Sequence, residues 1–196
     1  RGWVGQDLTR AQAPISLSTR WIRAQILRFW PRRRTSCCEA RLSSEPVAEQ
    51  ARGDRVWVGT VGAQDVAPYR LAVEQSRQRL SRWNPVDPED LERQLAVQSR
   101  DHRTFLIHAR GPEGDHDIVG KVNVTDVVRG RFESAAMGYD AYDPYAGRGL
   151  FAEGLRLVVS LAFAQETAGG MGLHRVAAAV QPGNLPSAGL WRSLGF

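Results

Sequence analysis

Lysine is almost absent from this chain: Lys121 stands alone beside 25 arginines among 196 residues. A skew of that size reads as a GC-rich coding bias rather than a functional choice. Cysteine is equally scarce, with only the adjacent pair Cys37 and Cys38. Adjacent cysteines seldom bridge each other, and no nearby histidine or cysteine completes a metal-ligand set. A disulfide scaffold and a zinc site are therefore excluded, no metal is expected, and a reducing cytoplasm is the expected compartment. Long apolar runs are missing too. The longest, Leu157 to Ala164, already contains Ser160. It falls far short of the roughly 20 residues of a membrane-spanning helix, so no membrane association is expected.

Acidic residues are nearly missing from the first 38 positions. Arg1, Arg10, Arg20, Arg23, Arg28, Arg32, Arg33 and Arg34 face a single acid, Asp7, a net +7 that leaves −2 for the remainder of a chain whose total is +5. The basic character thus belongs to a tail and not to the domain. Residues 1–52 show no sustained periodicity and read as a disordered basic extension. The tail offers a possible RNA contact, but nothing in the domain points to DNA.

Order is expected from residue 53 onward. Val56 to Val61 reads as a strand, and Asp65 as the cap of a helix over 66–82 with Tyr69, Leu71, Val73 and Leu80 facing inward. A second helix opens at Asp87-Pro88-Glu89-Asp90 and carries Leu91, Leu95 and Val97. Strands follow over 104–110, 118–128 and 133–141. The main helix runs from Arg148 to Glu166, its apolar face made by Phe151, Leu155, Val158 and Ala162. A strand over 174–180 and a short helix near Pro186 complete the pattern. Strands on both sides of a central helix imply a mixed α/β domain with one crossover.

The chemistry concentrates where the third of these strands runs into the main helix, through Gly147-Arg148-Gly149. Glycines let the backbone approach a ligand, and the free N–H groups of a helix start attract a phosphate. The loop is not a P-loop, because no Gly-Lys-Ser/Thr follows. Nor is it a dinucleotide fingerprint, because Ala152 stands where the third glycine would be and no early strand–helix unit precedes it.

Six segments, taken in order, resemble the GNAT N-acetyltransferases over about residues 54–196, with closest similarity to ribosomal-protein N-terminal-alanine acetyltransferases of the RimJ/RimL type. They are Ser81-Arg82-Trp83-Asn84-Pro85; Gly120 to Val124 with Val127 to Gly130; Met137-Gly138-Tyr139; Gly147 to Leu150 followed by Glu153; Gly172 to Val176; and Pro182-Gly183-Asn184 through Ser187 to Leu194-Gly195-Phe196. The resemblance implies a mostly antiparallel mixed sheet with helices on both faces, in a domain spanning 53–196. It implies acetyl-CoA as co-substrate. The pantetheine arm would pair with the backbone of Asp140, Ala141 and Tyr142. The pyrophosphate would sit on the amides of Tyr145, Ala146, Gly147, Arg148, Gly149 and Leu150. Asn184 and Ser187 would contact the cofactor arm, although both also suit helix capping. It implies a protein N-terminus, of a ribosomal protein in the nearest relatives, as acceptor. The alternatives are a small amine or antibiotic as acceptor, or a non-catalytic acyl-CoA-binding module.

For the base, Asp140 and Glu133 are the carboxylate candidates, with His108 and His174 beside them. Several departures from the family pattern stand out. Trp191 occupies the position of a tyrosine that often returns a proton to the thiolate. Pro144 replaces the Gln or Arg that often opens the loop, and the linker 167–172 is longer than usual. The family's final strands would follow Phe196, so the sequence as given reads as C-terminally truncated.

Overall fold

The computed structural model describes residues 22–25 and 49–196. Their core is a seven-stranded sheet in the order β1-β7-β6-β5-β4-β3-β2. The strands are β1 (Ile22–Gln25), β2 (Glu49–Arg52), β3 (Val56–Thr60), β4 (Arg103–Glu113), β5 (His116–Val128), β6 (Ser134–Ala141) and β7 (Arg175–Val180). All neighbours pair antiparallel except β6 and β7. That parallel pair needs a crossover, and α3 (Leu150–Phe163) provides it. The helices α1 (Val66–Leu80), α2 (Asp90–Val97) and α4 (Leu185–Ser193) complete the domain.

Two apolar clusters sit on opposite faces of the sheet. One joins Val58, Phe105, Ile107, Val122 and Val124 to Phe151, Leu155, Val158 and Ala162 of α3 and Trp191 of α4. The other joins Leu106 and Ile118 to Tyr69, Ala72, Val73 and Leu80 of α1 and Leu91 of α2. The inward residues of α3 are those its helical spacing predicts. In α1, Leu71 is 45% exposed, because the buried stripe runs through 69, 72, 73, 76 and 80. α3 lies close on the sheet: an added Cβ at Gly154 would stand 2.3 Å from Cγ2 of Ile107.

Two expectations need correction. Part of residues 1–52, read as a disordered extension, is in the sheet, where β1 pairs with β7 and β2 with β3. Edge strands such as IRAQ and EQAR are held by backbone pairing, and at four residues each they are too short for an alternation to stand out in a sequence reading. The rest of the basic segment, with Cys37, Cys38 and the expected RNA contact, lies outside the described residues. Asp65 precedes α1 as expected but does not cap it. A short 3₁₀ turn over Ala63–Asp65 comes first, and the carboxylate turns back to accept from the Gly62 N–H at 2.7 Å.

Candidate active site

The parallel pairing of β6 with β7 is short. It runs from Ser134 opposite Arg175 to Met137 opposite Ala178 and then stops. On its other side β6 stays paired with β5 through Gly138, Tyr139, Asp140 and Ala141. Those four residues therefore present one free backbone edge to a fork between diverging strands. The fork opens into a cleft of about 710 Å³. Trp83, Asn84 and Arg79 wall it on one face of the sheet, Phe151, Ser187 and Leu190 on the other. Gln181, just past β7, donates from Nε2 to the Trp83 carbonyl at 2.7 Å and straps the two strands' surroundings together.

Below the fork the chain turns through the glycine loop. Gly147 and Gly149 have φ of 78° and 81°, a region that penalises a Cβ, and Gly149 is the cap of α3. The Tyr145 amide closes onto Tyr142 O and the Arg148 amide onto Tyr145 O. Among the described residues, no backbone or side-chain oxygen accepts from the amides of Ala146, Gly147, Gly149 or Leu150. Ala146, Gly147 and Gly149 line the cleft. Unpaired amides at a helix start are an arrangement that suits an anion. The loop is anchored from the residue before β3, where the Arg55 backbone N–H and Nε donate to Glu153 at 2.8 and 2.9 Å and Nη1 reaches Arg148 O at 3.4 Å. These contacts hold the Glu153 carboxylate below its usual range despite some burial.

The remaining expected cofactor contacts divide. Asp140 and Ala141 line the fork, though the Ala141 carbonyl already accepts from Arg79 Nη2 at 2.6 Å. Tyr142 does not line it: its N–H donates to Val119 O at 2.8 Å and its ring is fully buried against Tyr69. Tyr145 is buried as well, its hydroxyl donating to His116 O at 2.7 Å and accepting from the Glu113 N–H at 2.7 Å. These two tyrosines pin the loop from beneath. The Arg148 side chain pairs with Glu113 at the surface, leaving its backbone as the part within the loop. Asn184 and Ser187 both line the cleft. Asn184 Oδ1 accepts from the Ser187 N–H at 3.1 Å and so also caps α4.

Of the two carboxylates weighed as base, only Asp140 is at the fork. Glu133 sits beyond the opposite end of β6, where it accepts from the Gly130 N–H at 2.8 Å and from Arg129 at 3.1 Å. It holds the β5–β6 turn, and its backbone has φ of 35°. His108 is buried under a stacked Trp57 and bonded to Asp117 at 3.1 Å, and His174 is exposed at the start of β7; neither lines the cleft. Burial raises the Asp140 carboxyl above the usual carboxylate range. Asp90 adds to the rise, while Lys121, Asn84 and Arg79 oppose it.

Sequence reasoning missed the hydroxyl array on the far wall. Tyr139 OH accepts from Trp191 Nε1 at 2.6 Å and bonds to Ser187 Oγ. Trp191 thus brings in the phenol that its own side chain lacks. Burial pushes the Tyr139 hydroxyl above its ordinary value. The available signal was the i, i+4 spacing of Ser187 and Trp191, which places both on one face of α4.

Three comparisons bear on this geometry. Residues 55–196 match the family described as Acetyltransferase (GNAT) domain. The probable N-acetyltransferase YjcK of Bacillus subtilis is 34% identical over 82 residues, which is 42% of this chain and 42% of that protein, so the alignment spans less than half of that relative. The [ribosomal protein uS5]-alanine N-acetyltransferase of Escherichia coli is 29% identical over 154 residues, 73% of this chain and 75% of that one. Among solved structures, Mycobacterium smegmatis RimJ in complex with CoA-disulfide superposes with a TM-score of 0.58 at 22% identity, over 72% of this chain and 69% of that chain.

Proposed function

The chain belongs to the GNAT acetyltransferase family, and on that premise we propose that it transfers an acetyl group from acetyl-CoA to the α-amino group of a protein N-terminus, a ribosomal protein being the acceptor suggested by the named relatives. A cytoplasmic setting accords with that acceptor. The observation that carries the reading is the fork, where a free strand edge meets a loop of unpaired amides. The free backbone groups of Gly138 to Asp140 suit an amide-bearing arm, and the amides of Ala146, Gly147, Gly149 and Leu150 suit a pyrophosphate. Acetyl-CoA, when bound, supplies the acetyl group in activated thioester form.

The chain's residues then divide the proton work. An α-amino group has an unperturbed pKa of about 7.7–8.0, against roughly 10.4 for lysine, so a modest base suffices. Asp140, held in the fork with its pKa raised by burial, receives that proton directly or through one water. The amine nitrogen forms the new C–N bond as the C–S bond breaks. The Tyr139 and Ser187 hydroxyls stand on the opposite wall to donate a hydrogen bond to the departing sulfur. A phenol holds its proton more tightly than a thiol, about 10 against 8.5. Tyr139 therefore steadies the thiolate, which takes its final proton from solvent.

The test is direct. The full chain is incubated with acetyl-CoA and a peptide beginning with alanine that also contains an internal lysine, and the product is sequenced by tandem mass spectrometry. Acetyl on the α-nitrogen supports the reading. No product, or product only on the lysine or on small amines, overturns it.

A further inference from the structure

The one lysine of the chain lies in the middle of β5, 3% exposed in its side chain. Its ammonium meets polar groups from three other elements. Nζ donates to Tyr69 OH of α1 at 3.0 Å, forms an ion pair with Asp90 at the start of α2, and stands 3.9 Å from Oδ2 of Asp140. It also lies 5.2 Å from the centre of the Tyr69 ring. A buried ammonium needs compensation by paired charge and hydrogen bonds, and this one has two carboxylates and a phenol. One of those carboxylates opens on the cleft. The other, at the helix start, does not line it.

We infer that Lys121 and Asp90 are positioning residues for Asp140: the ammonium, anchored by Asp90 and Tyr69, holds the Asp140 carboxylate in the fork and sets how readily it takes a proton. This rests on the reading of Asp140 as the base. Two acids sharing one buried cation leave the cluster with a net negative charge. The carboxylate nearer the cation is satisfied by it, and Asp140, farther away, keeps its affinity for a proton. Asp90 is correspondingly held below the usual range, by its bonds to Lys121 and against some burial, while Asp140 is raised. The Lys121 ammonium is itself kept charged: burial disfavours it, but Tyr69, Asp140 and Asp90 outweigh that and raise it. The other groups facing Asp140 are the Arg79 guanidinium of α1, the Asn84 amide of the following loop, and the Tyr142 and Tyr69 phenols beneath. Lys121 is the buried cation among them, so its removal changes the field at Asp140 most.

The sign follows from charge. A base works when deprotonated, so kcat falls on the acid side as Asp140 takes up its proton. Lys121→Met removes the cation that favours the carboxylate. The acid limb of kcat then moves to higher pH by half a unit or more, about a threefold loss on that limb. Asp90→Asn removes the competing anion and frees Lys121 for Asp140, so the limb moves to lower pH by a similar amount. Tyr69→Phe loosens the ammonium without changing any charge and serves as the packing control.

The experiment measures kcat against pH for the full chain at saturating acetyl-CoA and alanyl peptide, in these three variants and in Asp140→Asn. Opposite shifts in Lys121→Met and Asp90→Asn, with Tyr69→Phe close to wild type, support the inference. Should Lys121→Met fail to fold, the downward shift in Asp90→Asn carries the test alone. An acid limb that is unmoved in the charge variants, or moved as far by Tyr69→Phe, overturns the inference. Wild-type turnover in Asp140→Asn overturns the base assignment instead, so the two failures are distinguishable.

Discussion

Tyr139→Phe removes one oxygen that two side chains share. Trp191 is 4% exposed, and its indole N–H points at that oxygen from 2.6 Å. With phenylalanine in place, the N–H is buried without an acceptor, which costs about 1–3 kcal/mol. Ser187 loses a partner too, but it lines the cleft and water replaces the phenol there. The ring contacts of residue 139 with Phe151 and Trp191, at 6.0 and 5.4 Å between centroids, survive the change. The loss is therefore one of hydrogen bonding and not of packing. Trp191→Phe gives up indole area against Phe196 and Tyr139, yet it also removes the donor, so Tyr139→Phe costs little in that background. Urea unfolding of wild type, both single variants and the double variant closes the cycle. A coupling of about 1 kcal/mol or more is expected, with the Tm of Tyr139→Phe lower by roughly 2–4 °C per kcal/mol. Additivity within about 0.3–0.5 kcal/mol would refute the argument, because two residues whose effects simply add share no bond.

Gly154→Ala should lower the urea midpoint despite alanine's better helix propensity. The new methyl meets Ile107 at 2.3 Å, and overpacking of that kind costs about 1–3 kcal/mol against a propensity gain of roughly 1; an unchanged or raised midpoint would show that α3 lifts freely from the sheet. His116 is 5% exposed beside Tyr145, and burial lowers its pKa below the ordinary 6.5, outweighing the Asp143 and Ile118 backbone and the acids Asp117 and Asp115, which raise it. The unfolded chain then binds the extra proton, so this residue's contribution to stability is present above pH 6.5 and is lost as pH falls through that value toward the lowered one. His116→Phe should flatten the loss of unfolding free energy between pH 6.5 and 5.5, and parallel losses in both proteins would assign it to other groups.

Much of this was legible beforehand because its physics is local. The 3.6-residue stripe of α3, the β-branched run of β5 and the Gly147-Arg148-Gly149 turn each declare themselves within a dozen residues. The one parallel pair followed from a helix set between strands. What stayed hidden depends on partners far apart in sequence. Whether Tyr142 and Tyr145 face the ligand or the core is decided by Val119, Tyr69 and His116. Glu133 looked like a free carboxylate until the turn at Gly130 closed on it. Lys121 carried a usable signal, a charge inside the apolar stretch from Ile118 to Val124, but the acids that answer it come from α2 and β6.

The unpaired edge of β6 bears on what else the domain admits. A free strand edge is ordinarily a template for another polypeptide, and so a hazard. This one is recessed inside the sheet, with α4 on one side, Trp83 and Asn84 on the other, and Gln181 strapped to Trp83 at the mouth. A second peptide strand carries side chains on both faces at every other residue, and those walls stand where such side chains would lie. A chain without side chains meets no such obstacle. The recess thus distinguishes a bare chain from a side-chain-bearing strand, and it shields the open hydrogen-bonding groups from edge-to-edge association.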